Sequence, residues 1–191
     1  MSSVIISGDT SGAVTVSAPA VAGSNTLTLQ AGTATNSMNT LGTAVASTSG
    51  TSITFSSLPA WIKKITVMLG GVSSSGTSKY LIQIGTGGAA TTTGYVSGSA
   101  RTSGVAAYTP FTTGYGWSSQ AATEVNSGHI VLTNISGNIW IASHVGDSTA
   151  GCTLSGGGIL TLGGVLDLVR ITTVNGTDTF DAGSVNLLYE G

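Results

Sequence analysis

The chain has 191 residues, a net charge of −2 and a charged fraction of 6%, against about 25% in ordinary soluble domains. Its five Lys and Arg residues cannot form the clustered basic surface that nucleic acid requires, which argues against a nucleic-acid partner. No apolar run reaches the length of a transmembrane helix, and "MSSVIISGDTSG" lacks a secretory signal pattern, so we expect neither membrane insertion nor export. Such a weakly charged surface gives little repulsion between copies and is typical of a protein that works in an assembly.

The front of the chain differs in composition from the rest. Residues 10–62 contain no charged residue, and all eleven aromatic residues lie from Phe55 onward. Because large aromatic side chains dominate core burial, the first part is poorly equipped to form a core. We therefore expect an extended uncharged N-terminal arm over residues 1–45, for assembly or attachment, and a folded head over residues 46–191. The stretch "AVASTSGTS" (44–52) indicates a linker between them.

Short strands are predicted along the whole chain, whereas helix signals are nearly absent. Each strand alternates apolar residues with Ser or Thr, or forms a β-branched block bounded by Gly and Ser. In chain order they are "AVTVSA" (13–18), "TLTL" (26–29), "SITF" (52–55), "KITVML" (64–69), "YLIQIG" (80–85), "HIVLTN" (129–134), "NIWIASHV" (138–145), "GILTLG" (158–163), "LDLVRITTV" (166–174) and "SVNLLYE" (184–190). Their number and spacing predict an all-β fold: an antiparallel jelly-roll-like β-sandwich with an extended N-terminal β-rich arm.

Two local patterns refine this prediction. Asn175-Gly176, in "VNGTDTF", is the dipeptide most typical of a tight hairpin turn, so we expect the strands on either side of it to pair. The arm alternates in "GAVTVSA" and "NTLTLQA", and an exposed uncharged strand aggregates unless its edge is paired. We expect the arm to pair outside its own domain, with sister subunits or with another protein.

The residues that could support chemistry do not form a recognisable constellation. His129 and His144 with Asp147 give only a weak metal pattern without a third ligand at fixed spacing. Serine is abundant, but no nucleophile-elbow motif or phosphate-binding glycine loop precedes a helix. Cys152 is the only cysteine and has no basic neighbour, which indicates a buried small side chain. We expect no enzyme activity, no catalytic residue, no metal and no cofactor.

The stretch 94–128 concentrates aromatic residues in a background of Gly, Ser and Thr and has weaker strand periodicity than its flanks. Two interpretations remain open. The side chains line the core or a subunit interface, or they form a ligand-contact loop of the kind found in recognition surfaces. The candidate ligand-contact residues are Tyr95, Arg101, Tyr108, Phe111, Tyr115 and Trp117.

Three further residues stand out. Trp61 and Trp140 lie beside or within predicted strands, and we expect both to anchor the core or a seam. Arg170 lies among the few charges near the end of the chain. It either forms an ion pair facing another subunit or belongs to a solvated face.

Two longer stretches resemble a known group of proteins. "GDTSGAVTVSAPAVAGSNTLTLQAGTAT" resembles the repeat-like N-terminal segment of structural and tail-fibre proteins from tailed bacteriophages, notably phages of cyanobacteria. "SSLPAWIKKITVMLGGVSSSGTSKYLIQIGTGG" and "VRITTVNGTDTFDAGSVNLLYEG" look like the C-terminal domain of the same group. The resemblance implies a β-rich, trimeric protein on the virion exterior, assembled in the host cytoplasm. It implies no functional residue.

The short chain departs from the layout of a tail fibre, which usually has a long shaft and a separate attachment domain. An arm followed by one sandwich is the layout expected of a capsid decoration, or cement, protein. We therefore expect a homotrimer whose arm binds the major capsid protein or other virion subunits and whose head projects outward. The alternative is a tail-fibre or receptor-binding head that recognises a host-surface glycan through the loops of 94–128.

Overall fold

The computed structural model describes residues 3–7, 13–17 and 39–191. The chain divides into two units, Met1–Asn36 and Ser37–Gly191. In the first unit, β1 (Ser3–Ser7) and β2 (Ala13–Ser17) pair antiparallel as a two-stranded sheet. The second of these strands confirms the predicted "AVTVSA" segment, and the predicted "TLTL" strand lies outside the described residues.

The second unit contains two sheets, and every pair of neighbouring strands in them is antiparallel. The large sheet has the order β10-β9-β14-β13-β12-β6-β16-β3, with β4 also on β16, and the small sheet has the order β11-β7-β15-β5, with β8 on β7. The strands are β3 (Asn39–Leu41), β4 (Val45–Ala46), β5 (Ser52–Phe55), β6 (Lys64–Ser74), β7 (Tyr80–Thr86), β8 (Ala89–Ala90), β9 (Val96–Ser103), β10 (Val105–Phe111), β11 (Tyr115–Trp117), β12 (Asn126–Ser136), β13 (Ile139–Ser148), β14 (Cys152–Thr161), β15 (Leu168–Thr173) and β16 (Phe180–Glu190).

Strands from the two ends of this unit pair in a nested order. The first long strand of the large sheet, β6, pairs with the last, β16. The next, β7, pairs with β15 in the small sheet, and β9 then pairs with β14 in the large sheet. A chain doubled back on itself in this way and rolled into two layers has the arrangement of a jelly roll. The prediction of an all-β, antiparallel sandwich is confirmed.

The core lies between the two sheets and follows from the period-two alternation of their strands. Along β13, Trp140, Ala142 and His144 face inward and are buried, whereas Ile141 and Ser143 face outward and are exposed. Burial of apolar side chains is the dominant favourable term in the free energy of folding. The inner residues of the other long strands complete the core: Ile65, Val67, Ile82, Ile84, Ile130, Leu132, Leu154, Ile171, Val185 and Leu187.

The expectations for the tryptophans and the cysteine are confirmed. Trp140 and Cys152 are each 3% exposed. Trp61 is partly buried against the core, and its ring centre lies 5.8 Å from that of Tyr189. These side chains therefore serve packing.

The hairpin predicted at Asn175-Gly176 is wrong. Strand β15 belongs to the small sheet and β16 to the large one, so the segment 174–179 crosses between the layers. The side-chain oxygen of Asn175 accepts hydrogen bonds from the backbone N–H groups of Thr177 and Asp178, and Gly176 has a φ of 68°. This chemistry specifies a tight local turn, but the partners of the flanking strands are set by the topology of the sandwich.

The predicted boundary at residue 45 is also too late. Strands β3 and β4 pair with β16 and extend the large sheet. In the predicted linker, Ser47 is fully buried; its N–H donates to the carbonyl of Gly183 at 2.9 Å and its hydroxyl to that of Ala182 at 2.6 Å. Backbone pairing along an edge needs no aromatic residue, which is why composition did not reveal it.

Candidate functional site

The six candidate residues of the 94–128 stretch separate into two groups. Five are 7% exposed or less and lie inside the sandwich, so they follow the core interpretation and cannot form an external ligand-contact surface: Tyr95, Arg101, Phe111, Tyr115 and Trp117. Tyr108 is 68% exposed. The stretch itself is not an open loop, because it contains β9, β10, β11 and the first residues of β12.

Two of the buried tyrosines tie the layers together. The hydroxyl of Tyr95 accepts a hydrogen bond of 2.8 Å from the backbone N–H of Ile84, and that of Tyr115 donates to the carbonyl of Trp140 at 3.0 Å. Their rings meet edge to face with centres 5.0 Å apart. Burial raises the pKa of both hydroxyls far above the ordinary value, so both stay neutral and act as hydrogen-bonding anchors in the core.

A polar cluster lies beside them on the inner face of the large sheet. The ring of His144 stacks on Trp117 with centres 5.0 Å apart, and its Nε2 lies 3.1 Å from the hydroxyl oxygen of Ser99. The indole N–H of Trp117 donates to the side-chain oxygen of Asn126 at 3.2 Å. Burial lowers the pKa of His144 to about 4, so the ring is neutral near pH 7.

The same cluster contains a buried ion pair. The guanidinium of Arg101 donates two hydrogen bonds, of 2.9 and 2.8 Å, to the two carboxylate oxygens of Glu124. One of these oxygens also accepts from the backbone N–H of Gln120 at 3.1 Å. The pair therefore fastens the loop before β12 onto β9.

The serine–histidine contact does not provide a nucleophile that substrate can reach. Ser99 is fully buried and His144 is 6% exposed, while the Nδ1 atom of His144 has no hydrogen-bond partner that would orient the ring for proton transfer. His144 faces inward on β13 and Asp147 faces outward, so these two do not share a site. Within residues 39–191 and the two N-terminal strands, no three His, Cys, Asp or Glu side chains cluster in a way that could hold a metal ion.

The outer face of the large sheet presents an apolar row. Ile141, Ile159 and Val96 lie opposite one another on β13, β14 and β9, and they are 41%, 40% and 71% exposed. We call these three residues the outer row. Three neighbouring β-branched side chains facing water across adjacent strands form a continuous apolar patch, a feature typical of a contact surface.

The first edge of the large sheet, β10, is apolar and uncharged. Val105 is 87% exposed, and the ring of Tyr108 lies across Gly98, where a β-carbon would come within 2.0 Å of its hydroxyl. In the described part of the chain β10 pairs only with β9. Pro110 on this strand has no N–H to donate, which blocks one point of the free edge and limits strand addition there.

At the opposite edge, β3 and β4 form the last strand of the sheet. Leu41 and Val45 on these strands are 66% and 40% exposed. Glu190 on the neighbouring strand β16 pairs with Lys64 at 2.8 Å. Both edges of the large sheet therefore present exposed apolar side chains.

Comparison of the chain with protein families, curated proteins and solved structures gives no match. In the segments that the structure describes, no helix has the length and apolar character needed to cross a membrane. The candidate functional surfaces are therefore argued from their geometry: the β1–β2 hairpin, the outer row and the two edges of the large sheet.

Proposed function

We propose that this protein is a non-enzymatic structural protein of a phage virion, a homotrimeric capsid decoration (cement) protein. Its N-terminal unit binds the major capsid protein or other virion subunits, and its β-sandwich head projects outward. The observation that carries the proposal is the β1–β2 hairpin, a two-stranded sheet in a unit of its own, joined to the head by a stretch without charged residues.

A two-stranded sheet is at best marginally stable in water because it buries little apolar surface. The outer edges of β1 and β2 pair with no strand of the described residues. Strand addition to a neighbouring sheet satisfies such edges through main-chain hydrogen bonds and needs no charged side chain. The hairpin is therefore suited to attachment on a β-rich surface.

The head adds contact surfaces of the same kind. Burying the outer row and the edges of β3 and β10 in subunit contacts would remove exposed apolar area at little electrostatic cost. Closed cyclic symmetry uses such edges without open-ended aggregation, and a trimer matches the local three-fold positions of a capsid shell.

The test is quantitative analysis of purified virions of the phage that carries this protein. A decoration protein should be present in an amount comparable with the major capsid protein, and particles without it should release DNA at lower temperature. A copy number typical of tail components, with heads of unchanged thermal stability, would contradict the proposal.

A second candidate function is a tail-fibre or receptor-binding head that recognises a host-surface glycan. The observation in its favour is Tyr108, whose ring is 68% exposed and lies over Gly98 on the outer face, because an exposed aromatic ring stacks on sugars. Purified protein would then compete with phage adsorption to host cells. A Tyr108→Ala variant that competes as well as the unchanged protein would exclude this role for the ring.

A further inference from the structure

The outer face of the small sheet contains an open groove with a volume of about 360 Å³, which is within the usual range of ligand sites. It lies over β15, β7 and β5 and is bordered by the segments at Thr92 and Thr113. The residues that line it are Thr51, Ser52, Leu81, Gln83, Thr92, Thr113, Arg170, Thr172, Thr173, Val174, Asn175 and Gly176.

Arg170 is held in a fixed orientation in this groove. It lies opposite Gln83 in the pairing of β15 with β7, and its Nε donates a hydrogen bond of 2.8 Å to the Gln83 side-chain oxygen. The Gln83 amide group in turn donates to the carbonyl of Thr113 at 2.6 Å, and Gln83 is only 3% exposed. A buried amide anchored on the backbone therefore sets the plane of the guanidinium.

The charge of Arg170 has no carboxylate partner in the head. The ion pairs formed in the described part of the chain are Lys64–Glu190 and Arg101–Glu124, and no Asp or Glu lines the groove. Because Nε is bound to Gln83, the two terminal NH₂ groups are the part of the guanidinium that a ligand can use. A planar pair of donors with a permanent positive charge is suited to a carboxylate or a similar oxyanion.

The rest of the lining indicates what carries the anion. The exposed side chains of Thr51, Ser52, Thr92 and Thr113 line the groove with four hydroxyl groups. The hydroxyls of Thr172 and Thr173 and the amide of Asn175 are bonded within the protein. Leu81 is 2% exposed, and no aromatic side chain lines the groove, so an apolar anchor residue of a peptide would find no pocket. Clustered, exposed hydroxyl groups match a polyhydroxylated ligand.

We propose that this groove is a binding site for an acidic saccharide, whose carboxylate or sulfate group binds the terminal NH₂ groups of Arg170 while its hydroxyls bond to the exposed side chains of Thr51, Ser52, Thr92 and Thr113. This property goes beyond the assembly role. The groove lies on the small sheet, whereas the outer row and both free edges belong to the large one. A variant can therefore lose saccharide binding and retain assembly, or lose assembly and retain saccharide binding.

The test is an NMR titration of the full-length ¹⁵N-labelled protein with a short oligoglucuronate, a sulfated cello-oligosaccharide and a neutral cello-oligosaccharide. An acidic oligosaccharide should shift the signals of the Arg170 Nε–H and the Gln83 side-chain amide, and added salt should weaken its binding. The two acidic probes distinguish a carboxylate ligand from a sulfate ligand. Binding of the neutral oligosaccharide as tightly as the acidic ones would overturn the proposal.

Variants distinguish binding by the two coplanar NH₂ groups of Arg170 from general attraction to its positive charge. Arg170→Gln should weaken binding about 10- to 100-fold, the usual value of a charge-assisted hydrogen-bonded contact. Arg170→Lys should lose a similar factor, because an ammonium group cannot present two coplanar donors. The matched control is Lys79→Gln, which removes one positive charge outside the groove and should leave binding unchanged. Equal losses in Lys79→Gln and Arg170→Gln, or no shift of the Arg170 signal in the unchanged protein, would overturn the assignment.

Discussion

Arg101 on β9 and Glu124 in the loop before β12 face each other inside the head, joined by two hydrogen bonds of 2.9 and 2.8 Å. In a chain with twelve charged residues, this pair is 9% and 5% exposed at its side chains. Burial of an ion pair is costly unless both partners are satisfied, so each member depends on the other. The loop that carries Glu124 is thereby fixed against the large sheet.

Removing one partner should be strongly destabilising. Glu124→Ala leaves the Arg101 charge buried and unpaired, and we expect a loss of about 3–5 kcal/mol in the free energy of unfolding. The matched control is the double variant Arg101→Met, Glu124→Leu, which replaces the pair by apolar groups and should regain most of that loss. Chemical denaturation measures both, and a double variant no more stable than Glu124→Ala would contradict this role.

The buried histidine should make the stability of the head depend on pH. The pKa of His144 is lowered to about 4 in the folded protein, below its ordinary value of about 6.5. Between these values the unfolded chain binds the extra proton, so stability is full above pH 6.5 and falls as the pH drops towards 4, by about 3 kcal/mol in all. Denaturation midpoints between pH 7 and pH 4.5 measure this slope.

The control for this prediction is the exposed histidine. His129→Gln should retain the slope because the His144 site is intact, whereas His144→Phe should flatten it. A His144→Phe protein with the same loss of stability between pH 7 and pH 5 would show that another group is responsible.

Glycines in the large sheet make room for buried aromatic rings. A β-carbon at Gly146 would lie 2.2 Å from the ring of Trp117, so Gly146→Ala should cost about 1–3 kcal/mol through overpacking. At Gly163 a β-carbon would meet nothing within 4 Å, and Gly163→Ala is the matched control. Equal thermal stability of the two variants would contradict the packing of Trp117 against β13.

The outer row should act in assembly without contributing to folding. Val96 is 71% exposed, so Val96→Lys should leave the free energy of unfolding of the head within about 0.5 kcal/mol of its original value. A lysine in the row should weaken association because its charge would have to be desolvated in the contact. Sedimentation analysis measures association; an unchanged oligomer would exclude the row from the contact. Thr153→Lys, on the same face of β14 outside the row, is the control.

Alternation made the central strands predictable from sequence. In strands β12 and β13, buried residues such as Ile130, Leu132 and Trp140 alternate with residues that face outward. A period of two is typical of β-strands, and the all-β fold class was predicted from it. Strand β9 was missed for a physical reason: its inward positions include Ser97, Ser99 and Arg101, and polar residues facing the core give no hydrophobic period.

Features that depend on distant parts of the chain could not be predicted. Arg101 and Glu124 are separated by 23 positions, and neither residue alone indicates that the other will neutralise it. The Arg170 groove depends in the same way on Gln83 and Thr113 from other segments. The glycine-rich segment "SGGGILTLGG" does carry a local signal: glycines inside strands indicate close packing against a neighbouring ring or backbone.

The most direct test of the account is hydrogen exchange of the β1 and β2 amides in the full-length protein, measured over a range of protein concentrations together with sedimentation. We predict that these amides are protected from exchange only when the trimer has formed or a capsid partner is bound. Thr15→Pro, which removes a donor within β2, should abolish both protection and attachment, whereas Thr15→Val should retain them. A monomer at low concentration whose β1 and β2 amides exchange as slowly as those of β12 would contradict the account.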